Sequence, residues 1–129
     1  ERIADALTEE VIKQADLLMD IHSGDGNERL GPAYTAYYAE AGSEAIQAKS
    51  RRMTVAFGLN TIVEFAGDLS SDKSRIYTSA QAVALGVPSM DVESGEMGEV
   101  QTQILTPIVD GVISVMRDLS MLPGAAATA

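Results

Sequence analysis

Short strand-like runs alternate with helix-like segments along this chain, and this alternation restricts the possible fold more than any other sequence feature. Residues 17–21 are apolar apart from Asp20, as expected of a strand that is buried on both faces. Residues 61–65 are rich in β-branched side chains, residues 34–38 alternate weakly, and residues 89–93 form a last strand-like run. Strands that alternate with helices predict an α/β fold with a largely parallel sheet.

The helix-like segments have apolar residues at helical spacing. Ile3, Leu7 and Val11 predict a helix over residues 3–15 with one buried stripe. The last helix is long, because apolar residues recur at this spacing up to Leu119.

Capping residues define the ends of the other helices. Ser43 is a suitable N-cap and Gly58 a suitable C′ residue for a second helix. A third helix is predicted over residues 78–85, closed by Gly86, and the sequence Pro123-Gly124 is expected to stop the final helix.

Charge and cysteine content exclude several functions. The 129 residues contain 9 Lys and Arg against 19 Asp and Glu, which gives a formal net charge of −10, and no cysteine. Binding of nucleic acid or of an anionic membrane surface needs concentrated basic residues, so neither partner is expected. Without cysteine there is no disulfide framework, Cys-ligated zinc or thiol catalysis. We expect a cytoplasmic protein, although absence of cysteine also fits the periplasm.

Ionisable side chains occupy the ends of two predicted strands. Asp20 and His22 lie two residues apart, so on a strand both point to one face, and Glu93 ends the strand at 89–93. In open α/β sheets ligands bind at the carboxyl ends of strands, and an acid beside an imidazole can orient the ring as a metal ligand or base. A structural histidine and a turn-capping glutamate are the alternative interpretations.

Several ordered segments resemble one enzyme family. Residues 20–32 (DIHSGDGNERLGP) are similar to the "DLHSG…P" segment of the succinylglutamate desuccinylase/aspartoacylase family, which belongs with the zinc carboxypeptidase-like hydrolases. Later family segments are matched in the right order by residues 76–80, 86–89 and 92–98. The resemblance implies a three-layer sandwich with a mainly parallel mixed sheet flanked by helices.

The resemblance also implies roles for individual residues. His22 matches the third zinc ligand, Glu93 matches the glutamate that activates the attacking water, and Asp20 is a possible second-shell partner. The implied function is a zinc-dependent deacylase that cleaves an amide or ester bond of a small N-acyl amino acid-like substrate. Asp25 could add a further oxygen ligand.

The chain departs from the family in one respect. The first two zinc ligands of the family form an HxxE motif, and His22 is the only histidine here. Residues 1–122 are therefore interpreted as the C-terminal part of a catalytic domain without its HxxE part, followed by a flexible tail at 123–129. On its own the chain is expected to be inactive and to bind zinc weakly or not at all. The alternative is a non-catalytic α/β binding or assembly module derived from such a hydrolase.

Two further expectations concern position and surface. His22 and Glu93 should lie on the same edge of one sheet. An exposed apolar surface larger than about a few hundred Å² is expected, where the remaining part of a longer domain would pack, and a homo-oligomer is possible.

Overall fold

The computed structural model describes residues 2–24 and 26–127. Within these residues the chain alternates helices and strands, as the sequence predicts. The helices and strands are α1 (Arg2–Glu10), β1 (Leu18–His22), β2 (Tyr34–Tyr38), α2 (Glu44–Phe57), β3 (Ile62–Phe65), α3 (Thr78–Ala84), β4 (Ser89–Glu93) and α4 (Thr102–Asp118).

The strands form one mixed sheet in the order β1-β4-β2-β3. β1 is parallel to β4, β2 is parallel to β3, and the central pair β4 and β2 is antiparallel. The prediction of a mainly parallel mixed sheet is confirmed. One detail is wrong: β1 is only partly buried, because it lies at the edge of the sheet, and its Ile21 is 45% exposed.

Helices α2 and α4 cover one face of the sheet. Met90 and Val92 from β4 pack against Met53 and Phe57 of α2 and Val115 of α4. A side chain at Gly111 on α4 would collide with the ring of Phe57, so this glycine permits the close approach of the two helices. This face holds the main apolar core.

Helix α3 covers the opposite face. Its Ala80 and Val83 pack with Tyr38 of β2 and with Phe65 of β3, whose ring centroid lies 5.4 Å from that of Tyr38. Because helices lie on both sides of the sheet, the chain has the three layers that the sequence implied.

A pair of hydrogen bonds fixes the start of β4 between the two helical layers. The backbone N–H of Ser89 donates to the Ser50 hydroxyl of α2 at 3.0 Å, and the Ser89 hydroxyl donates to the Ser79 carbonyl of α3 at 2.9 Å. The residues of β4 that face α3 are thereby held in place.

The ends of α2 confirm the capping prediction. The Ser43 side chain accepts a hydrogen bond from the N–H of Ile46, and Gly58 adopts a φ of 87°. The continuous helix predicted over residues 3–15 is wrong, because α1 ends at Glu10 and a 3₁₀ turn follows at Ile12–Gln14.

The apolar stripe of α1 also differs from the prediction. Ile3, Leu7 and Val11 are exposed, and Ile12 alone is buried, against Ala82 and Val87. The break in the helix turns Ile12 toward this small cluster. These exposed side chains are compatible with the expected apolar surface, whose size stays a prediction.

The segment after α4 folds back on the helices. The N–H of Ala127 donates to the Ser114 hydroxyl at 2.7 Å, and the Arg117 side chain donates to the Pro123 carbonyl at 3.3 Å. The flexibility predicted for the tail stays a prediction. In the described part of the chain, every helix is too short or too polar to span a lipid bilayer.

Candidate functional site

The carboxyl ends of β1 and β4 bring the candidate residues together. In the parallel register of these strands, Asp20 is the partner of Asp91 and His22 is the partner of Glu93. Residues two apart on a strand point to the same face. All four positions therefore share the face that α3 covers, and the prediction that His22 and Glu93 lie on one edge of one sheet is confirmed.

Hydrogen bonds connect the loops that follow these strands. The Ser94 hydroxyl donates to the His22 carbonyl at 3.2 Å, and the N–H of Gly98 donates to the Ser23 carbonyl at 2.9 Å. Gly24 has a φ of 73°, and a Cβ there would lie 2.8 Å from the Glu28 carbonyl oxygen of its own loop and 2.9 Å from the Met97 nitrogen of the loop after β4. The glycine of the first Ser-Gly pair is therefore required by the close approach of the two loops.

Asp20 lies beside the ring of His22. The Nε2 atom of His22 is 3.3 Å from Oδ1 of Asp20, and both side chains are about one-quarter exposed. An acid in this place can fix the orientation of the imidazole. The roles of His22 as a zinc ligand and of Asp20 as its partner stay predictions.

Asp91 is the most buried acid of the site, with 7% of its surface exposed. Burial is the main cause that raises the pKa of its carboxyl to about 6; the charges of Asp20 and Glu93 act in the same direction, and the Ser79 hydroxyl and His22 act against them. Among the described residues, neither the Ser79 hydroxyl nor Oδ2 of Asp91 has a partner in good hydrogen-bond geometry.

A cleft of about 490 Å³ opens above these residues. Its described lining contains acidic and aromatic side chains and no lysine or arginine. Burial, followed by the charges of Glu93, Asp91 and Glu28, raises the pKa of the Tyr34 hydroxyl in this cleft. The lining residues are His22, Glu28, Leu30, Tyr34, Tyr38, Phe65, Ala66, Tyr77, Ser79, Asp91 and Glu93.

Three side chains of the site bring possible metal-ligand atoms close together. Asp20, His22 and Asp91 each offer one ligand atom, and these atoms all lie within 4.8 Å of one another. An imidazole nitrogen with carboxylate oxygens suits zinc and similar divalent ions. The donor set thus fits the metal that the sequence resemblance implies. Asp25, a further candidate ligand in the sequence, lies outside the described residues.

Asp91 was missed as a site residue in the sequence. It stands two positions before Glu93, so the two share a face of the strand, and it is an acid inside an otherwise apolar run. That signal could have identified it. The contributions of Tyr34 and Ser79 depend on the packing of β2 and α3 and left no recognisable pattern.

Solved structures with this fold are similar over the whole chain. The succinylglutamate desuccinylase/aspartoacylase of Rhodobacter sphaeroides has a TM-score of 0.80 and 20% sequence identity, covering 99% of this chain and 35% of that one. The product-bound ectoine utilization protein EutE (DoeB) of Ruegeria pomeroyi has a TM-score of 0.84 and 22% identity, with coverages of 100% and 37%. A succinylglutamate desuccinylase of Silicibacter sp. TM1040 has a TM-score of 0.82 and 19% identity, with coverages of 99% and 37%.

These likenesses define the class of fold. No family model and no curated protein matches the chain. The chain has the fold of the succinylglutamate desuccinylase/aspartoacylase structures, and the resemblance found in the sequence is confirmed at that level. It spans 35 to 37% of the length of the solved structures described.

Proposed function

We propose that this chain forms part of the active site of a zinc-dependent hydrolase, which cleaves an amide or ester bond in a small N-acyl amino acid-like substrate. The observation that carries the proposal is the register of β1 and β4, in which His22 and Glu93 are direct partners at the strand ends. A metal-binding imidazole close to a carboxylate is the pair that water-dependent hydrolysis needs. The fold shared with the desuccinylase structures supports the same class of reaction.

Each residue has a defined part in this reaction. Zinc, when bound, polarises the acyl oxygen of the substrate and lowers the pKa of water. His22 holds the ion through a ring nitrogen, and Asp20 keeps the ring oriented from 3.3 Å away. Glu93 accepts a proton from the attacking water.

The proton on Glu93 completes the bond cleavage. The water oxygen bonds to the acyl carbon, the carbon–nitrogen bond breaks, and Glu93 returns its proton to the leaving amine. The acid and the amine are then the two products. Cleavage of an ester follows the same course with an alcohol as the leaving group.

Other parts of the site have no counterpart in this chain. The resemblance implies two ligands in an HxxE motif and arginines that bind the substrate carboxylate. The only histidine in these 129 residues, His22, is followed three positions later by Asp25 and not by glutamate, so the sequence contains no HxxE motif. The described lining of the cleft has no arginine. In this proposal another segment or chain supplies them, and the whole protein acts in the cytoplasm.

The test uses the protein at its full length, loaded with zinc, and a panel of N-acetyl and N-succinyl amino acids. His22→Ala is expected to lose both zinc and hydrolysis. Glu93→Gln is expected to keep zinc and lose about 10²–10⁴-fold in turnover, because the ligand remains and the base is gone. Glu99→Gln, which removes an exposed acid six residues further along, serves as the matched control and should be fully active.

Two results would contradict the proposal. An active Glu93→Gln protein would show that Glu93 is not the base. Failure of the full-length wild type to hydrolyse any member of the panel would favour the alternative, a non-catalytic binding or assembly module. The observation that favours this alternative is that the sequence has a single histidine.

A further inference from the structure

The back of the cleft contains two polar groups that the hydrolytic reaction leaves unused. Asp91 is 93% buried and Ser79 is 99% buried, since 7% and 1% of their surfaces are exposed, and both residues line the cleft. Neither the Ser79 hydroxyl nor Oδ2 of Asp91 has a partner in good hydrogen-bond geometry among the described residues. Buried polar groups without a partner are unfavourable in a folded protein. A ligand that donates hydrogen bonds to both groups would remove this cost.

These two groups adjoin the side chain of Tyr38. Burial, followed by the charge of Asp91, raises the pKa of the Tyr38 hydroxyl, whereas the Ser79 hydroxyl lowers it. The three residues come from β2, α3 and β4, so the packing of α3 on the sheet brings them together. We call Tyr38, Ser79 and Asp91 the back pocket. It combines two oxygen acceptors with one aromatic ring.

The charge of the cleft determines which sign of ligand it favours. Its described lining includes Glu28, Asp91 and Glu93 and no lysine or arginine. A cleft lined by one sign of charge raises the local concentration of ligands of the opposite sign. Aromatic rings, which attract cations, complete the lining: they belong to Tyr34, Tyr38, Phe65 and Tyr77. A positively charged group is therefore favoured here, and a carboxylate is disfavoured.

A primary ammonium group meets these conditions. It has three hydrogen-bond donors and no acceptor, so it can satisfy both oxygen acceptors of the back pocket at once. The terminal torsion of an aspartate is broad, and a rotation of the Asp91 carboxyl group can therefore turn either oxygen toward the cleft. A methyl group of the same size would leave the two acceptors without a partner.

The position of the back pocket relative to the reacting atoms defines the length of the substrate. Asp91 lies two residues before Glu93 on β4, on the same face. With a rise of about 3.3 Å per residue, the two positions are about 6.6 Å apart. Because the attacked carbon lies close to Glu93, a chain of about two to four methylene groups can bridge the distance from there to an ammonium nitrogen beside Asp91.

We propose that Tyr38, Ser79 and Asp91 form a subsite for a primary ammonium group, and that the substrate is an N-acyl derivative of a diamino acid with a short side chain. The proposal rests on the hydrolase function for the place of the scissile bond and adds the class of substrate. Asp91 thus contacts the substrate, whereas His22 holds the metal. A carboxylate side chain of the same length would meet Asp91 with like charge, which excludes it.

Turnover of three N-acetyl amino acids by the zinc-loaded, full-length protein tests the proposal. The Nα-acetyl derivatives of L-ornithine, L-norleucine and L-glutamate have side chains of similar length, which end in an ammonium, a methyl and a carboxylate group. The value of kcat/KM should be at least about 100-fold higher for the ornithine derivative than for the norleucine derivative, because the methyl group leaves buried acceptors unpaired. It should be lowest for the glutamate derivative.

Substitutions in the back pocket should remove this preference. Asp91→Asn should reduce the preference for ornithine over norleucine by at least about 10-fold, and Ser79→Ala by about 2–10-fold. The zinc content of both variants should equal that of the wild type. Asp16→Asn is the matched control, because it removes the same charge from an exposed position just before β1 and should leave the preference unchanged. Thermal melting confirms that each variant is folded.

Calorimetric titration examines the same subsite without turnover. Free L-ornithine and L-norleucine serve as probes, because each is the amine product of its N-acetyl derivative. The wild type should bind ornithine at least about 10-fold more tightly than norleucine, since a hydrogen bond to a charged group contributes more than a neutral contact. The Asp91→Asn variant should bind the two amino acids with similar affinity.

Several results would overturn the subsite. Equal binding and turnover of the ornithine and norleucine compounds by the wild type would show that the back pocket does not recognise an ammonium group. Loss of zinc from Asp91→Asn would show that this carboxylate serves the metal instead.

The outcomes for the subsite and for hydrolysis are distinguishable. Tighter binding of ornithine that depends on Asp91, in a protein that hydrolyses no acyl amino acid, would keep the subsite and refute the hydrolase. Hydrolysis without a preference for the ammonium side chain would keep the hydrolase and refute the subsite.

Discussion

The two faces of β4 have opposite effects on stability. Met90 and Val92 are fully buried in the apolar core under α2 and α4. Asp91 and Glu93, which alternate with them, face the acidic cleft on the side of α3. Burial of apolar surface stabilises the fold, whereas burial of a carboxyl group destabilises it. One strand therefore combines apolar packing on one face with the unfavourable burial of a carboxyl group on the other.

This difference shows that the apolar face of β4 stabilises the fold, whereas its acidic face forms the candidate site. The apolar face follows from residues that would pack in any sheet of this kind. The acidic face lowers the stability of the folded chain, and such a cost is typical of functional sites. Substitutions on the two faces should consequently change stability in opposite directions.

Truncation on the apolar face should have the largest effect. Phe57→Ala removes a ring that is 3% exposed and packs against both the sheet and α4. The expected loss is about 3–5 kcal/mol in the free energy of unfolding, measured by urea denaturation. A loss below about 1 kcal/mol would show that the core can close around the cavity.

Substitution on the acidic face should have the opposite sign. The pKa of Asp91 in the folded chain, about 6, lies above its ordinary value of 3.8. The folded state therefore keeps a proton between these values that the unfolded state releases, and stability falls as the pH rises through this interval. The shift corresponds to about 3 kcal/mol.

Asp91→Asn should remove this pH dependence. In EDTA at pH 7 the variant should be more stable than the wild type by up to about 3 kcal/mol, and near pH 4 the two should be equally stable. Urea denaturation across this range is the measurement. A variant that is less stable at neutral pH would show that the carboxylate has a stabilising partner.

The loop at the acidic face should be sensitive to a single methyl group. Gly24 and Gly26 both have positive φ, but a Cβ at Gly24 meets the Glu28 carbonyl oxygen at 2.8 Å and the Met97 nitrogen of the other loop at 2.9 Å, whereas one at Gly26 meets nothing within 4 Å. Gly26→Ala should cost about 1 kcal/mol from backbone strain alone, and Gly24→Ala about 2 kcal/mol or more. Equal losses in thermal melts would show that the loops separate easily.

The smallest effect is expected for the hydrogen bond between the two loops. Ser94→Ala removes a bond of 3.2 Å to the His22 carbonyl. The free energy of unfolding should fall by about 0.5–1.5 kcal/mol. Because the Ser94 backbone N–H also donates to that carbonyl, at 3.3 Å, the position of His22 should be retained. A change in the zinc affinity of this variant would contradict that expectation.

The sequence was sufficient to predict most of the fold. The cap at Ser43, the left-handed Gly58 and the strand at Ser89–Glu93 are local signals, and each is found in the structure. The break after α1 and the exposed position of Ile21 were not predictable in this way. They depend on which neighbours the chain meets in three dimensions, and no local pattern records these contacts.

The same distinction holds for the candidate site. His22 and Glu93 were identified because they end strand-like runs before Ser-Gly, and Asp20 because it lies two residues before His22 on the same face. Asp91 gains its significance from burial and from its register with Asp20, both of which follow from the pairing of strands far apart in sequence. A single sequence shows which residues of a strand share a face, but it does not show which other strand pairs with it.

The pairing of His22 with Glu93 has a consequence for protein engineering. Their separation is set by the hydrogen-bonded spacing of adjacent strands, about 4.8 Å, and not by the loops that surround the cleft. Insertions or randomised sequences between residues 26 and 33 could therefore change the shape of the cleft without separating the pair. The strands act as a fixed frame, and the shape of the cleft can be diversified by exchanging the segment around it.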